Sequence, residues 1–282
     1  MDNFIWKALT IPVTLDKKID YKGAFNLEPN ALVFFDLDGT LLNQHSQVNP
    51  EVASAIHQLR ENGSMPIIAT GRTNIEVDEI MEMTGINSIV SMNGQHVTFD
   101  GEEVYASVLE TAVLDRLKEA TNERNEGLSF YSNRLIRCTR HNELLEKAYN
   151  MIHSPIPQID ESIYHREDIH MALVLAEAGD EYYHREFPEL FFIRNSPFSM
   201  DTIVKGGSKA KGIEALIERL NFQHIPTFAF GDGRNDLEMF GAVKHPIAMG
   251  NAISDLKNVA EFVTTSNVEG GIITGLKKYD LI

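Results

Sequence analysis

Short apolar runs recur along the chain, and several run straight into carboxylates, hydroxyls or glycine. Ala31 to Phe35 (ALVFF) is apolar at every position, the pattern of a strand buried on both faces, because strands covered by helices lose the apolar/polar alternation. This strand should stop at Asp36. After the loop 43–48, Asn49 and Pro50 form an N-cap and N1 pair, and Val52, Ile56 and Leu59 recur at helical spacing until Gly63, which predicts the crossover helix of a βαβ unit. Met65 to Ala69 is a second strand, ending in Thr70-Gly71-Arg72 and followed by a helical stretch to about Met83. Ser88 to Met92 is a third, ending at Asn93-Gly94.

The pattern then changes. Gln95 to Phe99, Asp100-Gly101 and Glu103 to Ala106 read as a hairpin with a primed two-residue turn. Helices are expected near Glu110 to Arg124, Glu143 to Ile152 and Asp180 to Phe187. Strands are expected near Leu128 to Tyr131, Leu135 to Thr139, Met171 to Leu175, Phe191 to Arg194 and Phe198 to Val204. The first pattern returns at Ser208, which caps a helix whose Ile213, Leu216, Ile217 and Leu220 share a face. Thr227 to Phe230 is a buried strand ending in GDGRND, residues 231 to 236; a helix from Leu237, a strand at Pro246 to Met249 ending in Gly250-Asn251, a helix near Asp255 to Glu261 and a strand at Phe262 to Thr265 follow.

The fold class is therefore α/β, a doubly wound parallel sheet from residues 31–107 and 204–282, interrupted by an inserted α+β domain at 108–203. Residues 1–30 carry no motif and read as an N-terminal extension or an edge strand. In such sheets ligands bind outside the carboxyl ends of the strands, where the strand order switches. The polar groups singled out so far sit at such ends.

Composition narrows the setting. A length of 282 residues suits two domains, and 43% hydrophobic content can supply their cores. With 25 basic against 41 acidic residues the net charge is -16, which argues against nucleic acid or an anionic membrane surface as partner, since both need clustered Lys and Arg. Cys138 is the only cysteine, so no intrachain disulfide can form and a reducing cytoplasm is expected. The first 18 residues lack the pattern of a secretory signal, and no apolar stretch approaches the roughly 20 residues of a membrane span. Oligomeric state is not legible.

Asp36 and Asp38 are two apart, so their side chains leave on one face if the chain stays extended through Leu37. Held together, two carboxylates repel unless a cation or a proton relieves them, which suits a hard divalent metal. Four elements fall in order: DLDGT at 36 to 40, Thr70-Gly71-Arg72, Lys209 in GGSKAKG, and GDGRND at 231 to 236. This order resembles the haloacid dehalogenase superfamily, and the late insertion resembles its Cof-type phosphatases, which carry a C2-type cap on a Rossmann-like core. The resemblance covers residues 31 to about 271.

It implies a phosphomonoesterase. Asp36 would be the nucleophile, forming an aspartyl-phosphate, and Asp38 the general acid and base. Mg²⁺ would take oxygens from the Asp36 carboxylate, the Asp38 backbone carbonyl and Asp232, with Asp236 supporting it through a water. Thr70, Gly71, Arg72, Asn93 and Asn235 would bind the phosphate or line its pocket, Asn235 orienting either Lys209 or the phosphate. Lys209 has a signal of its own: a cation in the first turn of a helix opposes the macrodipole by about 0.3–1 kcal/mol, and a neighbouring phosphate and aspartate cluster would reverse that sign. Lys211 is the runner-up.

Gln95 stands where alanine is common in the family and could alter the pocket wall; Arg234 stands where a smaller or acidic residue is frequent and reads as a solvated loop cation. Arg134, Arg137, Arg140 and His141, on or after the cap hairpin, could meet a second anionic group. His165 and His170 show no metal-ligand spacing. No GxGxxG or Walker loop is present, so no nucleotide cofactor is implied. The substrate would be a small phosphorylated metabolite, a sugar phosphate or a phosphorylated cofactor such as pyridoxal phosphate or a flavin mononucleotide. A phosphomutase of the same superfamily and a non-catalytic phosphate-binding regulator are the alternatives; a pure binder has no need of nucleophile and acid together.

Overall fold

The computed structural model describes residues 28–152 and 154–282; the reading of an extension over residues 1–30 falls almost entirely outside them. Fourteen strands among the described residues form two sheets. In the first, β1 (Leu32–Phe35), β2 (Met65–Ala69), β3 (Ile89–Ser91), β4 (His96–Phe99) and β5 (Glu102–Ala106) join β12 (Thr227–Gly231), β13 (His245–Ala248) and β14 (Phe262–Val263). The order is β14-β13-β12-β1-β2-β3-β4-β5. All pairings are parallel from β14 to β3, and β4 and β5 close the edge as an antiparallel hairpin. Asp100 and Gly101 both have positive φ (52° and 83°), as the primed turn requires.

The central strand has the burial that its uninterrupted apolar run predicts: Leu32, Val33, Phe34 and Phe35 are all wholly buried, and Phe35 stacks on Phe230 of β12 at 5.1 Å. Each such side chain contributes about 1.5–3 kcal/mol relative to exposure. Helices α1 (Pro50–Glu61) and α2 (Asp78–Thr84) pack together on one side. On the other, α6 (Lys209–Leu220), α7 (Leu237–Ala242) and α8 (Ser254–Val259) follow a segment that holds α3 (Thr111–Glu123), α4 (Glu143–Met151) and α5 (Asp180–Glu186). A ninth helix, α9 (Gly271–Lys278), rests against α1. It is not anticipated above, since two glycines at its start and one within it mask the Ile272 and Leu276 pair that it buries.

Because the chain moves outward from β1 to β2 and β3, then returns to lay β12 on the other side of β1, the switch in strand order lies between β1 and β12. The second sheet comes from β6 (Gly127–Tyr131), β7 (Ile136–Cys138), β8 (Gln158–Ile159), β9 (Met171–Leu175), β10 (Leu190–Ser196) and β11 (Ser199–Val204), in the order β10-β11-β9-β6-β7-β8. The two-residue β8, which follows Pro155 and Pro157, is too short to show in the pattern. One local expectation fails: the Asn49 side chain makes no cap bond to α1. It accepts instead from Asn43 Nδ2 at 2.8 Å, because the Val52 and Ala53 amides already bond the Asn49 carbonyl.

Candidate active site

The loops after β1, β2, β3 and β12 and the start of α6 converge on one cavity of about 850 Å³. Two glycines allow the loops to meet. At Gly39 (φ +86°) a Cβ would lie 2.3 Å from Asp232 Oδ2, and at Gly94 (φ +87°) it would lie 2.0 Å from the Ser208 carbonyl oxygen. A side chain at either position would push the β12 loop or the start of α6 away. Gly94 ends a run of three positive-φ residues, since Met92 and Asn93 have φ of 49° and 53°. Their amides donate back to Arg72 and Thr70 carbonyls at 3.0 Å, so the strained turn after β3 is tied to the turn after β2.

Lys209 is the centre of the arrangement. Its side chain is 1% exposed, and Nζ donates to Asp36 Oδ1 at 2.5 Å and Asp236 Oδ1 at 2.8 Å. Burial alone would lower its pKa, but the Asp236 and Asp36 charges outweigh burial and raise it, so it is an ammonium. The unfavourable first-turn position is thus offset by two carboxylates. Ser208 caps α6, its side chain accepting from the Lys211 amide, while Lys211 itself is exposed and paired with Glu214.

Asp36 is buried, and burial followed by the Asp236 charge pushes its pKa well above the usual carboxylate range while Lys209 pulls it down. Asp232 is pushed up to about 6, chiefly by burial, although Thr40 Oγ1 donates to its Oδ1 at 2.9 Å. Asp236 is fully buried, and its Oδ2 accepts from the Asp232 and Gly233 amides at 3.0 Å, so it fixes the β12 loop as well as Lys209. Oxygens of Asp36, Asp232 and Asp236 lie within 4.8 Å of one another. With all three ionised, the carboxylates against one ammonium leave two negative charges uncompensated, and that repulsion is part of what pushes Asp36 and Asp232 up. An all-oxygen, hard donor set with that deficit fits a divalent cation such as Mg²⁺.

Asp38 behaves differently from the expectation. The strand ends at Phe35, so the argument from strand alternation lapses, and Asp36 and Asp38 reach the cavity with different partners. Asp38 is 59% exposed and makes a two-point ion pair with Arg72, at 3.0 Å from Nε and 2.5 Å from Nη2. Thr70, buried, accepts the Arg72 amide on Oγ1 at 3.1 Å, and Thr70, Gly71 and Asn93 line the cavity. Asn93 Nδ2 donates across to Asp201 Oδ2 on β11 at 2.9 Å. Asn235 is exposed at the cavity wall and makes no hydrogen bond to Lys209 among the described residues, since the two aspartates already orient that ammonium.

Arg134 pairs with Glu167, Arg137 bonds the Ile136 carbonyl, Arg140 bonds Asn122 and Asn125, and His141 bonds the Pro157 carbonyl. None of the four lines the cavity holding Lys209. Arg234 is exposed, 3.6 Å from Asp255. Gln95 is buried, Nε2 bonding the Asn93 carbonyl at 3.3 Å and Oε1 lacking a partner. Asn251, whose Nδ2 bonds the Gly39 carbonyl at 2.7 Å, ties the loop after β1 to the end of β13, a contact that sequence reasoning passed over although Asn251 ends a strand as the others do. Thr40, Glu76, Asn195 and Asp201 were passed over too; of these only Thr40 lies inside a motif.

Residues 33–276 match the description haloacid dehalogenase-like hydrolase. YkrA of Bacillus subtilis (strain 168), which carries a provisional phosphatase name, is 34% identical over 253 residues, covering 89% of this chain and 98% of its own. A crystal structure of a hypothetical protein from Geobacillus kaustophilus HTA426 superposes with a TM-score of 0.84 at 36% identity, covering 90% of this chain and all of the other. The structure of the subclass IIB sugar phosphatase BT4131 superposes with a TM-score of 0.78 at 25% identity, covering 89% of this chain and all of the other.

Proposed function

We propose, from the premise that this chain belongs to the haloacid dehalogenase-like hydrolases, that it is a Mg²⁺-dependent phosphomonoesterase acting on a small phosphorylated metabolite through an aspartyl-phosphate. The observation that carries this reading is the buried Lys209 ammonium clamped between Asp36 and Asp236 at the switch in strand order. That arrangement suits a site that must hold an anion against carboxylates.

A carboxylate oxygen of Asp36 attacks phosphorus, the bond from phosphorus to the ester oxygen breaks, and Asp38, which leaves its ion pair with Arg72 and takes a proton from solvent as substrate enters, gives that proton to the departing alkoxide. Water then attacks the acyl phosphate, Asp38 takes the water proton, and inorganic phosphate leaves with Asp36 regenerated. Lys209 balances the charge on Asp36 and on the phosphoryl group, while Thr70, Gly71, Asn93 and Asn235 contact its non-transferred oxygens. Arg72 holds Asp38 in the cavity and lines the phosphate pocket. Asp36, the Asp38 carbonyl and Asp232, with Asp236 behind, would hold Mg²⁺, which when bound neutralises phosphoryl oxygens facing the nucleophile.

Residues 108–203 serve as the cap that covers the site and reads the leaving group. A sugar phosphate is the first candidate, in line with the name of the BT4131 protein, and a phosphorylated cofactor the second. Cys138, buried in the cap with its thiol pushed up to about 11 by burial, is inert and suits a cytoplasmic setting. Among the described residues no helix is long and apolar enough to cross a membrane.

The test is release of phosphate from a panel of phosphorylated metabolites and from p-nitrophenyl phosphate. Asp36→Asn should lower turnover by at least about 10³-fold while circular dichroism is unchanged; activity within tenfold of the parent removes the covalent mechanism. A strict requirement for a bisphosphate activator would assign a phosphomutase instead.

A further inference from the structure

Beyond Lys209 the same cavity runs up to the second sheet, where its wall is partly apolar, from Met171, Leu173 and Ile193. Two carboxylates interrupt that wall. Asp201, on β11, accepts from Asn93 Nδ2 at 2.9 Å on one oxygen and from Asn195 Nδ2 at 2.6 Å on the other. Glu76, after the Arg72 turn, accepts from the Thr73 amide and hydroxyl on Oε2 at 2.9 and 3.0 Å, and from Ser154 Oγ on Oε1 at 2.6 Å. Neither forms an ion pair among the described residues.

The cations of the wall are committed elsewhere. Arg72 is held by Asp38, Arg194 by Asp180 at 2.6 and 2.7 Å, and Arg234 lies at the rim beside Asp255. Among the described residues no basic side chain pairs with Asp201, and burial, with the Glu76 charge adding, pushes its pKa up to about 7. Each carboxylate oxygen offers about two acceptor sites, so Asp201 keeps capacity for a donor arriving from the cavity. A hydroxyl or an ammonium would fill it. A second phosphate would meet two carboxylates and no free guanidinium at partly buried positions, where like charges are poorly screened.

Resting on the phosphatase reading, we propose that Asp201, with Glu76 behind it, selects the leaving group. The preferred substrate is a phosphate monoester whose alcohol presents hydroxyls or an ammonium and carries no second anionic group. None of the four basic residues on and after the cap hairpin lines this cavity; Arg134, paired with Glu167, and Arg137 line a neighbouring one.

The experiment compares a hexose monophosphate, the corresponding amino-hexose monophosphate and the hexose bisphosphate on the full chain, with p-nitrophenyl phosphate as the ester that makes no such contacts. Both monophosphates should exceed the bisphosphate in kcat/KM by at least about tenfold. Asp201→Asn should raise KM for the monophosphates and narrow that ratio by about tenfold, a change that loss of structure alone would not produce. Preference for the bisphosphate in the parent protein overturns the inference without any variant, as does an unchanged ratio in folded Asp201→Asn. Phosphate release from none of the esters, p-nitrophenyl phosphate included, would instead remove the phosphatase reading on which it rests.

Discussion

The two ends of the cavity handle negative charge in opposite ways. Where β1 and β12 end, Asp36, Asp232 and Asp236 share one ammonium, Lys209, and retain a deficit that a metal can fill. Toward the second sheet, Asp201 and Glu76 have, among the described residues, amides and hydroxyls as partners. An ammonium brought among carboxylates holds a charged group of fixed sign; amides hold the carboxylate and leave the counter-charge to whatever enters. The first end suits a constant phosphoryl group, the second a variable remainder of the substrate.

That contrast is most directly broken at Lys209. Lys209→Met leaves Asp36 and Asp236 buried with no counter-ion, and removing one member of a buried pair costs about 3–5 kcal/mol. Urea unfolding at pH 7 should show a loss of that size, together with a fall in turnover of at least about 10²-fold. A loss under about 1 kcal/mol would mean that the two carboxylates hold a proton between them and need no lysine.

A divalent cation should act on the same end and in the same direction. Mg²⁺ at about a hundred times its Kd should stabilise the fold by about 2.7 kcal/mol, seen as a rise in Tm that EDTA reverses along with turnover. Asp232→Asn should abolish the rise while leaving the Lys209 contacts intact, whereas Asp201→Asn should leave it unchanged. A rise that survives Asp232→Asn places the cation elsewhere.

The difference between the ends also explains what the sequence reveals. Asp36, Thr70, Lys209 and Asp232 sit where apolar runs stop and glycines begin, and a strand end is visible as a change of pattern. Asp201 lies within β11 at an ordinary strand position, and Asn195 within β10. Nothing local distinguishes either from a solvent-facing polar residue, because their meaning comes from a sheet packed over loops about a hundred residues away. Asp38 shows the limit on the legible side: spacing of two predicts a shared face only while the chain stays extended, and it turns after Phe35.

Asn93 joins the two ends, so its replacement sharpens the comparison with a smaller effect. Its side chain reaches Asp201, and its backbone has φ of 53° and ψ of 39°. Asn93→Gly keeps that backbone open, loses the amide contacts to Asp201 and Met171 Sδ and frees the unfolded chain, expected together to cost about 1–2 kcal/mol. Asn93→Ala loses the same contacts and adds the left-handed penalty of a Cβ, about 1 kcal/mol more. Equal losses in the two variants would show that the turn relaxes and stores no strain.

The smallest effect belongs to the junction between the sheets. His96 of β4 and His170, just before β9, face each other with ring centroids 5.1 Å apart. His96 Nε2 lies 3.0 Å from Glu103, its Nδ1 is buried without a hydrogen-bond partner among the described residues, and His170 Nδ1 donates to the Ser107 carbonyl at 2.8 Å. Burial holds both rings below the ordinary histidine value, and for His96 the neighbouring ring adds to it, against the Glu103 charge; Asp168 and Glu103 oppose it at His170. Below about pH 6.5 the unfolded chain therefore binds protons that the folded chain refuses, and stability falls as pH drops through that window. His96→Gln can still donate to Glu103 but cannot titrate. Between about pH 7.5 and 5.5 it should lose about 1 kcal/mol less stability than the parent, measured by urea midpoints at each pH. Parallel curves for the two proteins would mean that the His96 ring takes up its proton alike in the folded and unfolded chains, and a parent that gains stability relative to His96→Gln as pH falls would mean that Glu103 outweighs burial.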